Sequence, residues 1–271
     1  MQTFDPAAFD EFERSSWERA ASSYVDGFAR LSTQTVPSLL DQLGAREGLT
    51  LLDVGCGPGV LSAVAVARGC VVTGVDVAEP MLAIARGAVP DAIFDLADVH
   101  GGLPYADGFF GAVAGNMVVH HFSRPAVALA HLVRVLAPGG RLGLTMWDPP
   151  ADNPAVGIFR EALALAGAEA PADIPAGPAR VDDAGFHTLF TAAELSRASV
   201  THVKFDFVTD PAQWWHSVVS STALTAALVM RQPDDVQDKI RAAYDRLVLR
   251  YLDDKGVAHF PASATLAVGT R

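Results

Sequence analysis

Apolar and polar positions along the chain follow two alternating periods. Over residues 8–46 the period is helical, with Phe9, Phe12, Trp17, Ala20, Tyr24, Phe28 and Leu31 on one stripe, and Pro37 opens a further segment through Leu43. Short apolar runs of strand type follow at 50–55, 70–76, 92–97, 111–117 and 140–147. Helical patterns at 59–68, 79–88 and 124–137 separate them. Such alternation predicts a mainly parallel sheet with helices on both faces, an α/β architecture. Beyond Trp147 the pattern loosens into a helix at 154–167, a long loop at 168–190, a helix at 191–199 and a strand at 200–208. Residues 211–252 read as helical again, and 262–269 as a closing strand. The chain thus divides into N-terminal helices (1–46), a central core (47–150) and a C-terminal part (151–271). The last ends the sheet and carries an inserted helical cap at about 209–255, expected over the strand C-termini, where ligands of open α/β sheets bind.

Composition narrows the class. With 271 residues, half of them hydrophobic, the chain suffices for one large core and a small appended subdomain. The net charge is −11 and no Lys/Arg cluster occurs, which argues against a nucleic-acid partner and against an anionic membrane surface. No uninterrupted apolar run reaches the ~18–20 residues of a membrane span. The start, Met1-Gln2-Thr3-Phe4-Asp5-Pro6, lacks the basic and apolar regions of a signal peptide, so a cytoplasmic location is expected. Cys56 and Cys70 suggest no disulfide framework. Only Lys204, Lys239 and Lys255 among the 20 basic residues are lysine, a bias associated with GC-rich bacterial genomes.

The most informative segment is Leu51-Leu52-Asp53-Val54-Gly55-Cys56-Gly57-Pro58-Gly59. An apolar run ends in an acid and alternate glycines, and a helical pattern follows: a strand, a tight turn and a helix N-terminus. Such a turn lets a ligand lie against bare backbone. A dinucleotide fingerprint requires Gly or Ala where Val60 stands, which opposes a nicotinamide dehydrogenase. The G-x-G-x-G spacing behind Asp53 resembles motif I of the class I S-adenosylmethionine (SAM)-dependent methyltransferases, of the small-molecule type similar to the quinone and sugar methyltransferase group. Motif order and spacing agree over about residues 45–150. The resemblance implies a Rossmann-like seven-stranded sheet and SAM as cofactor.

The second strand ends in Asp76, placed to accept hydrogen bonds from ribose hydroxyls of any adenosine cofactor. The run Asp76-Val77-Ala78-Glu79-Pro80-Met81-Leu82 compares with the D-x-S-x-x-M-L of similar families, with Ala78 in place of the serine. The resemblance implies further roles. Asp53 sits beside the ligand ammonium, directly or through water; Met81 lies near the adenine. Asp98 holds the adenine amino group and Val99 offers its N–H to the ring. Asn116 lies beside the cofactor and Tyr24 closes over it. Gly55, Gly57 and Gly59 line the turn, and Cys56 and Val77, inside the two motifs, join the cofactor-binding set. No metal ligands are indicated.

His120-His121 follow the fourth strand, where small-molecule O-methyltransferases often carry a histidine. His121 is the expected general base, its ordinary pKa of ~6.5 suiting that task, and Asp148 is the residue expected to orient it. Trp214, Trp215 and His216 are read either as an aromatic lid or as ordinary packing. The implied activity is methyl transfer to a small, partly apolar metabolite, oxygen first and carbon next. Two alternatives stay open: a SAM-binding enzyme that catalyses a cyclisation or rearrangement, and a non-catalytic SAM-binding protein. Homodimer formation is compatible with the sequence.

Overall fold

The computed structural model describes residues 4–25 and 27–271; Met1, Gln2 and Thr3 of the expected N-terminal segment, and Asp26, lie outside the described residues. Seven strands, β1 (Thr50–Val54), β2 (Val71–Asp76), β3 (Ile93–Leu96), β4 (Phe110–Gly115), β5 (Leu136–Trp147), β6 (Ser196–Thr209) and β7 (Ala258–Thr270), form one sheet in the order β3-β2-β1-β4-β5-β7-β6. The first five pair in parallel, and β7 runs antiparallel between β5 and β6. The strand order reverses between β1 and β4, and that switch point opens a crevice at the strand C-termini.

The N-terminal segment folds as α1 (Pro6–Tyr24), α2 (Ala29–Ser32) and α3 (Val36–Leu43). Helix α1 starts where Asp5 caps it, accepting the N–H groups of Ala7 (3.0 Å) and Ala8 (3.3 Å), with Pro6 in the first turn. Helix α3 stops at Gly44, which adopts the left-handed conformation of a helix C-cap. One sheet face is covered by α3 and α4 (Val60–Ala67), through Leu39, Leu40 and Leu61 against Leu51, Val72 and Ala112. The other face is covered by α6 (Pro125–Val135) and by a helix over Asp183–Ala192, through Leu129, Leu132, Phe186 and Phe190. Helix α5 (Glu79–Ala88) follows β2 and packs Leu82 and Ala85 beside Phe94.

Two expectations need correction beyond Trp147. Helix α7 (Pro154–Leu165) forms as read, but the next helix, α8, spans Asp183–Ala192 rather than 191–199. Asp182 starts it early by accepting the Gly185 N–H at 2.8 Å, so the loop is shorter than expected and β6 already begins at Ser196. The second correction concerns the cap. Helices α9 (Pro211–Ser221), α10 (Leu224–Met230) and α11 (Asp234–Val248) pack with α7 against the later half of β6 and the first half of β7. They stand beside the crevice and do not cover it. Trp214 is fully buried and donates its indole N–H to the Ala155 carbonyl at 2.8 Å, while Trp215 stacks on Phe159. These rings are core, not lid. Their apolar surface needed burial, and β6 and β7 offered it. No described helix is long and apolar enough to cross a membrane.

Candidate active site

The turn after β1 is built from glycines with different tasks. A Cβ on Gly55 would lie 2.6 Å from the Val118 Cγ1, and one on Gly59 would lie 3.2 Å from the Ala85 Cβ, so packing crowds a side chain at both, and Gly55 also lines the cavity. A Cβ on Gly57 would meet nothing within 4 Å, and Gly57 lines the cavity in front of the turn. All three have positive φ, a conformation that costs a side-chain-bearing residue about 1–2 kcal/mol. Cys56 points the other way, into the cluster of Leu82, Ala85, Val89 and Phe94, and does not line the cavity. Of the motif's side of the expected site, then, Cys56 and Gly59 shape the turn from behind.

The cavity holds about 630 Å³, within the ~300–1,000 Å³ typical of small-molecule and cofactor sites. Its floor is Val54, Val75, Asp76 and Asn116 at the strand ends; its side wall carries Val77, Met81, Asp98, Val99 and His100. The roof is α1, which contributes Asp10, Glu13, Arg14 and Trp17, with Tyr24 at its end.

Asp76 is held by its neighbours: one carboxylate oxygen accepts the Gly57 N–H at 2.8 Å and the other the Ala78 N–H at 2.9 Å. Burial nonetheless pushes its pKa up. Asp98 behaves oppositely. The imidazole of His100, 3.3 Å away, holds it below the usual carboxylate range, and its own oxygen accepts the His100 backbone N–H at 2.8 Å. Asn116 spends its amide on the scaffold: its oxygen accepts from Thr35 (2.7 Å) and Thr145 (2.8 Å), and its nitrogen donates to the Ser32 carbonyl at 3.0 Å. It ties the N-terminal helices to β4 from the cavity edge. Tyr24 lines the cavity with its hydroxyl 3.4 Å from that of Ser32, and burial raises its pKa.

Asp53 is absent from the cavity lining. It sits behind the turn, almost fully buried, accepting the Ser62 hydroxyl at 2.7 Å, and burial pushes it up to about 7. Direct contact with a ligand is replaced by an anchor between β1 and α4.

His121 reaches the cavity because the chain kinks after β4. Met117 takes a left-handed conformation, its N–H donating to the Thr145 hydroxyl at 2.7 Å, and a 3-10 turn over Val119–His121 follows. The partner expected for His121 is not the one found. Asp148 is buried and accepts the hydroxyls of Ser263 and of Thr265 (2.5 Å) and the His202 Nδ1 at 2.8 Å, with the Arg180 guanidinium 3.9 Å away. Burial alone would raise it, but those hydroxyls and His202 outweigh burial and hold it below the usual range. It locks β5, β6 and β7 together and does not line the cavity. The carboxylate at His121 is Glu13 of α1, its Oε2 2.7 Å from Nδ1 but out of line with the ring N–H. Trp17 donates its indole N–H to the same Glu13 oxygen at 2.8 Å and sets its ring edge-on to His121, centroids 5.2 Å apart. His120 is half-buried and does not line the cavity; desolvation pushes its pKa well below 6.5, so its ring stays neutral. Sequence reading missed Asp10, Glu13, Arg14, Trp17 and His100 as cavity residues. The spacing of Glu13 and Trp17 put them on one helical stripe, but nothing in it said which surface that stripe would roof.

The sheet order with its antiparallel seventh strand, the glycine turn facing the cavity and an acid at the end of β2 together give the α/β fold of the class I SAM-dependent methyltransferases. Residues 52–144 match the family described as "Methyltransferase domain". The chain is 38% identical over 127 residues to a malonyl-[acyl-carrier protein] O-methyltransferase of Pseudescherichia vulneris, a match covering 47% of this chain and 50% of that protein. It is 35% identical to a trans-aconitate 2-methyltransferase of an Azoarcus species, covering 55% of this chain and 60% of the relative. The chain spans about half the length of the first of these relatives. In structure it is similar to the YcgJ protein of Bacillus subtilis, with a TM-score of 0.58 at 18% identity, covering 88% of this chain and 97% of the other; that likeness concerns the fold.

Proposed function

We propose that the chain transfers the methyl group of SAM to a small, partly apolar metabolite, with oxygen as the acceptor atom. The observation that carries this reading is the pairing of Asp76 with Gly57 across the cavity floor. It sets a carboxylate suited to ribose hydroxyls beside a backbone with room for a ligand where a Cβ would stand. Asp98 and Val99 on the wall suit the adenine, and Met81, Val77, Asn116 and Tyr24 enclose the remainder. The bound SAM supplies an activated sulfonium methyl. The protein contributes alignment and water exclusion, worth up to ~7–11 kcal/mol for well-oriented reactants. In this reading α1 is the cofactor-side roof, 47–150 the core and 151–271 the end of the sheet with its helical annex, while α3 packs on the sheet face.

Calorimetry with SAM, S-adenosylhomocysteine and NAD tests the cofactor reading. Saturable binding of the first two and none of NAD is expected; NAD binding alone would overturn it. Product mass then separates methyl transfer from a rearrangement on the same fold, since only transfer adds a methyl group.

A further inference from the structure

Two features of the cavity bear on what the acceptor is. The first is charge. Asp10, Glu11, Glu13, Asp76 and Asp98 all line it. Its arginine, Arg14, is already taken by Glu11 at 2.7 Å and Glu18 at 2.8 Å. The lining histidines face acids as well: His100 lies 3.3 Å from Asp98, and His121 lies 2.7 Å from Glu13. Among the described residues lining the cavity, no cation is left to receive a carboxylate, and with Asp76 and Asp98 assigned to the cofactor, a carboxylate acceptor would still meet the α1 acids Asp10, Glu11 and Glu13. The second is the pairing of Glu13 with His121. Glu13 is only 8% exposed, and Trp17 fixes its oxygen against the imidazole. The carboxylate charge beside Nδ1 favours the proton on that nitrogen, although the ring N–H is not aligned with it as a hydrogen bond, and a proton there leaves Nε2 as the free acceptor, the tautomer of a general base.

An acceptor that arrives as a carboxylate needs a cation to hold it and no base, because it is already ionised. This cavity offers the converse. We propose that Glu13 is the positioning residue of the His121 base, and that the acid-lined cavity takes an acceptor that arrives neutral with a hydroxyl to deprotonate, as a phenol or enol does. The inference rests on the methyltransferase reading above. It separates this chain from the carboxylic acids in the names of the malonyl and trans-aconitate relatives.

In the step, the acceptor O–H bond breaks and its proton goes to His121 Nε2. The oxygen pair forms the bond to the sulfonium methyl carbon, and the carbon–sulfur pair returns to sulfur, giving the methyl ether and S-adenosylhomocysteine. The imidazolium so formed is balanced by Glu13. Such a base contributes ~10²–10⁴-fold.

Two measurements test this. Long-range proton–nitrogen NMR of the SAM-bound protein, at a pH where the ring is neutral and with H121Q to identify the signal, should show His121 as the Nδ1–H tautomer. E13A should lose that preference and E13D keep it, with both variants folded by circular dichroism. An Nε2–H tautomer in the native protein, or no response to E13A, overturns the role of Glu13. In the second, S-adenosylhomocysteine-loaded protein is titrated with 2-naphthol and 2-naphthoate, two probes of one shape and different charge. The phenol should saturate the site at least about tenfold more tightly, a difference near 1.4 kcal/mol. In E13Q the carboxylate's disadvantage should shrink. Equal or tighter binding of the carboxylate, or a phenol that does not saturate, overturns the acceptor class. Failure of SAM or S-adenosylhomocysteine to bind at all would instead strike the cofactor reading.

Discussion

The carboxylate of Asp76 reaches from the end of β2 to accept the backbone N–H of Gly57 at 2.8 Å, closing the floor of the cavity between two strands. Its second oxygen is held by Ala78, so the side chain is oriented before any ligand arrives. Removing one hydrogen bond to a charged group costs about 1.5–3 kcal/mol, roughly ten- to hundredfold in affinity. D76N, which keeps an acceptor for Gly57 but turns its amide NH2 toward the Ala78 N–H, should therefore lose SAM affinity by about that factor, with a modest fall in melting temperature. Calorimetry beside a thermal melt decides it; native affinity would remove the ribose assignment.

Gly55 and Gly57 should answer differently to the same substitution. In G55A the new methyl must displace Val118, and overpacking of that kind adds about 1–3 kcal/mol to the conformational cost of positive φ. G57A incurs the conformational cost alone, but its methyl enters the cavity. Denaturant titration should therefore show G55A as the less stable, with partial recovery in G55A/V118A. Calorimetry should show G57A as the weaker SAM binder relative to its stability.

Asp53 makes the unliganded protein sensitive to rising pH. Burial pushes its pKa up to about 7 in the folded state, against ~3.9 in an unfolded chain. Between those values the folded state binds more protons than the unfolded one, so this group lowers stability as pH climbs from about 4 to about 7, and the loss levels off above. D53N keeps an acceptor for the Ser62 hydroxyl and has no proton to lose. Its melting temperature relative to the native protein should be higher at about pH 8 than at about pH 5. A difference independent of pH would refute the assignment.

His202 and Asp148 are linked in the opposite sense. Asp148, and after it Asp183, raises the pKa of His202, so its charged form contributes fully below ~6.5 and the contribution is lost as pH rises through the raised value. Asp148, held low, contributes above ~3.9 and loses that contribution in acid. The pair therefore acts most between about pH 4 and 6.5. His202 is 40% exposed, which limits its share to under ~1 kcal/mol. H202Q should lower the melting temperature slightly near pH 5.5 and hardly at all near pH 9; an equal loss at both would mean packing, not charge.

The alternation of short apolar runs with helical stripes determined the seven strands and most helices, because strand and helix periods are local properties of the chain. The motif after β1 and the acid ending β2 were likewise legible: glycines at positive φ and a strand-terminal carboxylate carry their function in short spacing. Neighbours distant in sequence were not. Asp148 lies 115 residues from Ser263 and 54 from His202, and only the antiparallel closure of β7 brings them together, away from His121. Glu13 meets His121 because α1 crosses the strand ends, and the helices at 211–248 stand aside because β6 and β7 bury their apolar stripe. Periodicity shows that a face must be covered. Which surface covers it, and so which residues meet at the cavity, depends on long-range packing that the sequence pattern leaves unspecified.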